Sequence, residues 1–226
     1  MSPTISPHIL AAVASPRRLP SDAARDAGRR PAELFGFFGI APGDRVAELM
    51  CGSGYCVGLL SEIVGPSGRV YAYNTPASLE RRKGVNPLDE RMSRCALGNV
   101  ESLVAGIDAL MLPAGLDAVL MVMTYHDTVN SNVDRGVMNR AILAALKPGG
   151  MFGVVDHHAA SGRGLEDCGE LHRIEKQRVV AEVVAAGFTL AGESALLENT
   201  DDPCAATPFT KGWRDRTSRF VLKFVK

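Results

Sequence analysis

Read for its apolar and polar positions, the chain alternates short extended runs with amphipathic stretches. Arg45 to Leu49, Arg69 to Tyr73, Val100 to Val104, Ala118 to Met123 and Met151 to Val155 are strand-like, and Ala118 to Met123 is apolar throughout, as in a strand buried on both faces. Helical patterns lie between them: Val57 to Val64, a charged stretch from Leu79 to Leu97, and Asp134 to Leu146 closed by Lys147-Pro-Gly-Gly150. Glu175 to Ala186 follows, its Val179, Val180, Val183 and Val184 forming one stripe and Gly187 its stop. Phe188 to Leu197 and Arg219 to Val225 supply two last strands. The alternation predicts an α/β fold, a mostly parallel sheet flanked by helices with a closing antiparallel strand.

The ends of this pattern are less regular. Residues 1–20 hold four prolines and read as an irregular N-terminal arm, leaving 21–226 as a single domain. Asp22, Arg25, Asp26 and Arg29 are spaced as opposite charges on a solvated helix face, and Pro31 to Phe38 reads as a second short helix. A polar excursion from Asn199 to Thr217 is too long for a hairpin loop and reads as a lid or binding segment, with Asn199, Asp201 and Asp202 as turn formers.

Composition narrows the partners. With 226 residues, 46% of them hydrophobic, the chain can bury one sizeable core. Its 25 basic and 25 acidic residues leave no field that would draw nucleic acid or an anionic membrane, so a small-molecule substrate is expected, with a homodimer possible. Five scattered cysteines without Cys-x-x-Cys spacing point to a reducing compartment. The apolar run Ile9 to Ala14 is short for a signal core, and the expected location is cytoplasmic.

Four segments in order carry a resemblance: Val46-Ala-Glu48-Leu-Met-Cys-Gly52-Ser-Gly54, Asp108-Ala-Leu-Met-Leu-Pro113, Asp117-Ala-Val and Leu146-Lys-Pro-Gly-Gly150. From roughly Pro31 onward the chain resembles the class I, Rossmann-like S-adenosylmethionine-dependent methyltransferases. Tyr125-His126-Asp127, Asp156-His157-His158, Leu171-His172-Arg173-Ile174 and Arg219-Phe220-Val221 further resemble a bacterial subgroup of predicted methyltransferases. The resemblance implies S-adenosylmethionine as cofactor, with Glu48 near its amino group, Gly52, Gly54 and Tyr55 around the turn that approaches it, and Asp108 with the backbone of Ala109 at its adenine. Two positions depart from the family pattern. Met50 stands where a first glycine is usual, and Asn74 stands where an acid usually holds both ribose hydroxyls, which an amide grips with less charge-assisted strength.

Ligands of open α/β sheets bind at the carboxyl ends of the strands, where both histidine clusters fall. Methyl transfer to oxygen or nitrogen needs an aligned and often deprotonated acceptor. His126 is the expected general base, with Asp127 or Tyr125 orienting it and Asp156 and His157 as further catalytic candidates, while His158, His172 and Arg173 could hold substrate. The bland alternative is that these clusters only cap their strands. Asp156 and His157 beside His126 and Asp127 could also hold a divalent transition metal. That reading is not favoured, because no acid stands near Val122 to Thr124. Cleavage or cyclisation of the cofactor, and a non-catalytic cofactor-binding sensor, stay open as alternatives. A nicotinamide enzyme is disfavoured because Val57 occupies the place of the third glycine.

Overall fold

The computed structural model describes residues 5–226. Helix α1 (Pro7–Val13) is followed by the short helices α2 (Pro20–Ala23) and α3 (Asp26–Arg29) and by α4 (Pro31–Phe38). Strand β1 (Arg45–Leu49), helix α5 (Tyr55–Val64) and strand β2 (Arg69–Asn74) form the first crossover unit. Helices α6 (Pro76–Glu80) and α7 (Pro87–Arg94) lead to β3 (Val100–Val104), a 3-10 turn at Ile107–Ala109 and β4 (Leu116–Val122). Helices α8 (Asp127–Asn130) and α9 (Arg135–Ala145), strand β5 (Leu146–His157), helix α10 (Lys176–Ala185) and strands β6 (Thr189–Ser194) and β7 (Arg219–Val225) complete the chain. The sheet has seven strands in the order β3-β2-β1-β4-β5-β7-β6, and β7 runs antiparallel to both its neighbours.

Each face of the sheet is covered, which is why its central strands are apolar on both sides. On one face Phe35, Phe38, Leu59 and Leu60 of α4 and α5 pack over Val46, Val70 and Leu120. On the other, Met138, Ile142, Val179 and Val183 of α9 and α10 cover Val119, Phe152 and Phe224. Among the described residues no helix is long and apolar enough to cross a membrane, and all five cysteines are unpaired.

Two expectations about the N-terminal region do not hold. Residues 1–20 are not uniformly irregular, because Pro7 opens α1, whose Ile9 and Ala12 are buried in the core. Pro20 and Pro31 likewise open helices. A proline in the first helical turn forfeits no hydrogen bond, so Pro7 and Pro20, which read as breaks, are starts, as Pro31 was expected to be. The charges from Asp22 to Arg29 are not a solvated face either. The backbone breaks into α2 and α3, and the side chains turn inward: Arg18 pairs with Asp26 at 2.6 Å and Arg25 and Arg29 with Asp215 at 2.7 and 2.8 Å. Asp22 pairs with the buried Arg91 of α7.

The excursion between β6 and β7 is held down by Arg173, a fully buried side chain. Its guanidinium makes a two-pronged pair with Asp202 at 2.9 and 3.0 Å and donates to the carbonyls of His158 and Ala206. Asp202 also accepts from the amides of Cys204 and Ser218. A pair as fully hydrogen-bonded as this one survives burial, whereas one stripped of its partner does not. Replacing Asp202 with Ala is therefore expected to cost about 3–5 kcal/mol of stability by leaving Arg173 charged and alone. Urea unfolding measures this, and an unchanged midpoint would show that the excursion is held by other contacts.

Candidate active site

Parallel register brings the carboxyl ends of the central strands level: Leu49 lies beside Tyr73 and Met121, and Val122 beside Val155. The chain turns sharply after each strand and leaves a cavity of about 810 Å³ between the turns. Glu48, Met50 and Gly52 line one end, His126, Asp127 and His172 the other, and Phe209, Arg214 and Asp215 of the excursion reach over it. The excursion thus lies against the cavity as its length suggested.

At the first end the strand closes on Glu48, which is 4% exposed. Burial pushes its carboxyl up to about 8, against the hydrogen bond from Cys56 and the charges of Arg29 and Arg91. Its Oε2 has no hydrogen-bond partner within the protein. Met50 takes the left-handed conformation, φ 56°. A side chain at such a φ carries strain of about 1–3 kcal/mol that a glycine would avoid. Gly52, φ 57°, faces open space, with nothing within 4 Å of where a Cβ would lie. Gly54, φ 76°, also serves packing, because a Cβ there would strike Leu88 of α7.

Asn74 is 2% exposed and does not face the cavity. Its carbonyl accepts from the Gly52 amide at 2.9 Å, and its amide donates to the Gly52 carbonyl and to Asn86 Oδ1 at 3.0 and 3.1 Å. The side chain braces the glycine turn and is already engaged at each polar atom, so the expected ribose contact is corrected. Asp108 and Ala109 lie on the surface in the 3-10 turn, outside the cavity lining.

At the second end the organising group is Asp156, a carboxylate with no exposure. Its Oδ2 accepts from the His126 amide, and its Oδ1 from His126 Nδ1 and the His157 amide, all at 2.8 Å. Burial works against that charge, but the adjoining His126 holds the carboxyl below the ordinary range. His126 Nε2 points into a tight group, 3.2 Å from His172 Nδ1 and 3.3 Å from Asp127 Oδ1. Burial opposes its charge as well, yet Asp156 and Asp127 together raise it to about 10. That direction favours the charged form of His126, which runs against the role of general base expected for it. His157 is the reverse, pushed down to about 3 by burial, and its Nδ1 is bonded to Thr217 Oγ1 at 2.8 Å.

Tyr125, His158 and Arg173 lie outside the cavity. Tyr125 is buried, accepting from Asn139 and donating to Glu182, and His158 packs on the Phe220 ring. Asp156 reaches no solvent and so acts through His126, whereas His157 lines the cavity with its Nδ1 tied to Thr217. Of the residues expected at substrate, His172 alone is in place, in a left-handed backbone conformation, φ 53°, with the Phe209 ring against it. Sequence reasoning missed the cavity's charged roof. Tyr55 donates to Asp26 at 2.6 Å and carries the Arg29 guanidinium 4.4 Å above its ring. The run of alternating charge from Asp22 to Arg29 was its only trace, and it does not reveal Asp215, 186 residues beyond Arg29, as the common partner.

No family model matches the chain. Solved structures do. A S-adenosylmethionine-dependent methyltransferase from Aquifex aeolicus superposes with a TM-score of 0.65 at 19% identity, over 92% of this chain and 93% of that one. Geranyl diphosphate C-methyltransferase from Streptomyces coelicolor, solved with Mg²⁺, geranyl-S-thiolodiphosphate and S-adenosylhomocysteine, gives 0.64 at 15% identity over 95% and 84%. A S-adenosylmethionine-dependent methyltransferase from Mesorhizobium loti gives 0.56 at 18% identity over 91% and 99%. At such identities the likeness speaks for architecture: the chain has the Rossmann-like fold of the S-adenosylmethionine-dependent methyltransferases.

Proposed function

We propose that the protein is a S-adenosylmethionine-dependent methyltransferase acting on a small molecule. The observation that carries this reading is Glu48, a buried carboxyl beside the glycine turn with one oxygen left without a partner. Such an atom is costly unless a ligand satisfies it, and a cationic amine is the complementary group. The cofactor's amino acid portion would supply that amine, and the open space over Gly52 would admit its chain past the turn. When bound, the cofactor contributes an electrophilic methyl group on a sulfonium.

This chain's residues must then bring an acceptor in line with that methyl group. His126, Asp127 and His172 occupy the far end of the same cavity and offer nitrogen and oxygen atoms to the acceptor, while Asp156 fixes the His126 ring from behind. Phe209 and Arg214 also line this cavity, whose volume of about 810 Å³ has room for a small-molecule acceptor beside the cofactor. Unbalanced net charge, the usual support for a nucleic acid substrate, is lacking.

S-adenosylhomocysteine is expected to bind the purified protein in a calorimeter, and no heat at millimolar concentration would end the reading. Because Glu48 titrates near 8, most of it is protonated at pH 7, and pairing with the ligand's ammonium should expel nearly one proton per site. The heat of binding at pH 7 should therefore vary with the buffer's ionisation enthalpy, and Glu48→Gln should abolish that dependence and weaken binding about 10–100-fold.

The same carboxyl gives a stability prediction for the ligand-free protein. Its folded pKa lies above its unfolded one, so its contribution is complete below the ordinary glutamate value and is lost as pH rises through about 8. Between pH 5 and pH 9 the melting temperature of the parent should fall relative to that of Glu48→Gln. Parallel curves would show that Glu48 is not held neutral.

A further inference from the structure

The second end of the cavity has a geometry of its own. His126 Nε2, His172 Nδ1 and Asp127 Oδ1 converge from α8, from the turn that precedes it and from the loop before α10, and each offers one ligand atom to a common point. Their separations are 3.2, 3.3 and 3.6 Å. Four ligands placed tetrahedrally about 2.0–2.1 Å from an ion stand about 3.3–3.4 Å apart. Cis ligands of an octahedral ion at the same radius would stand about 3.0 Å apart, closer than any pair in this group.

We infer that His126, Asp127 and His172 form a binding site for a divalent transition ion of the zinc type. The set differs from the one suggested by the sequence, which joined His126 and Asp127 to Asp156 and His157. Asp156 is turned to His126 from behind and His157 does not belong to the converging group, whereas His172, 46 residues from His126, does. Two imidazoles and one carboxylate suit zinc, cobalt or ferrous ion better than magnesium.

Three further observations fit an ion at this point. Asp156 grips the opposite nitrogen of His126 at 2.8 Å, the outer carboxylate that holds a metal-binding imidazole in one orientation. His172 takes a left-handed backbone conformation, φ 53°, and the Phe209 ring lies edge-on against its ring, so its direction is fixed from outside the group. All three ligands line the cavity, so a fourth position opens toward it, as in catalytic rather than structural sites. The class of ligand that completes such an ion is an oxygen-bearing small molecule, a hydroxyl or carboxylate. In that respect the inference rests on the methyltransferase reading, whose acceptor would enter here.

The test uses the full chain, stripped with a chelator and titrated with Co²⁺ while visible absorption is followed. Expected are one Co²⁺ per chain and d–d bands of the intensity typical of tetrahedral coordination. His172→Ala, a partly exposed position whose loss spares the core, should weaken uptake more than about a hundredfold, beyond the effect of losing an outer carboxylate. S-adenosylhomocysteine binding to the stripped parent is measured in parallel, and the circular dichroism and melting temperature of the stripped parent and variant should coincide. Failure of the parent to take up Co²⁺, or equal uptake by parent and His172→Ala, would overturn the site. Cobalt uptake without S-adenosylhomocysteine binding would uphold the metal site and remove the methyltransferase reading; the opposite result would overturn the metal site alone.

Discussion

Asp156 is a carboxylate that water cannot reach, and the carboxyl ends of the sheet are arranged around that fact. A buried charge of this kind is tolerated only with a full complement of donors and an adjoining positive group. The chain supplies the amides of His126 and His157 and the His126 ring. The first and last of these lie on the turn after β4, whereas Asp156 ends β5, so satisfying the charge locks two adjacent strand ends together. It also leaves one edge of the His126 ring facing the cavity. The position of His126, and through it of Asp127 and His172, follows from a desolvation problem in the strand behind.

Much of the fold was legible because a parallel sheet covered on both faces needs strands that are apolar throughout, and Ala118 to Met123 could hardly be anything else. The segments that carried the family resemblance were informative about architecture more than chemistry. Asp117 accepts from the Arg45 amide and pairs with Lys147, stapling strand starts at the end of the sheet opposite the cavity. Glu48 and Gly52 were recognised from their place after the first strand, and both line the cavity. Asn74 was misread for a physical reason: an amide can both donate and accept, and here it spends that ability on the turn next to it.

What sequence could not give was long-range pairing. A Cβ on Gly28 would strike the carbonyl oxygen of Asp215, so the smallness of this glycine serves a contact 187 residues away that no local pattern announces. Arg173 read as a substrate ligand because a forked donor beside His172 suits an anion. The anion it meets is Asp202 of the same chain, and the pair fixes the excursion that overhangs the site. The same blindness hid the metal-ligand geometry, since His172 belongs to neither strand-end cluster and meets His126 only through folding.

The account's central claim is that one cavity joins a cofactor end at Glu48 to an acceptor end at His126. The most direct measurement is a crystal structure of the protein soaked with S-adenosylhomocysteine. The account predicts the ligand's amino group on Glu48 Oε2 and its sulfur directed toward His126, with Asn74 still bonded to Gly52. A homocysteine portion turned away from Glu48, or a ligand bound outside this cavity, would contradict it.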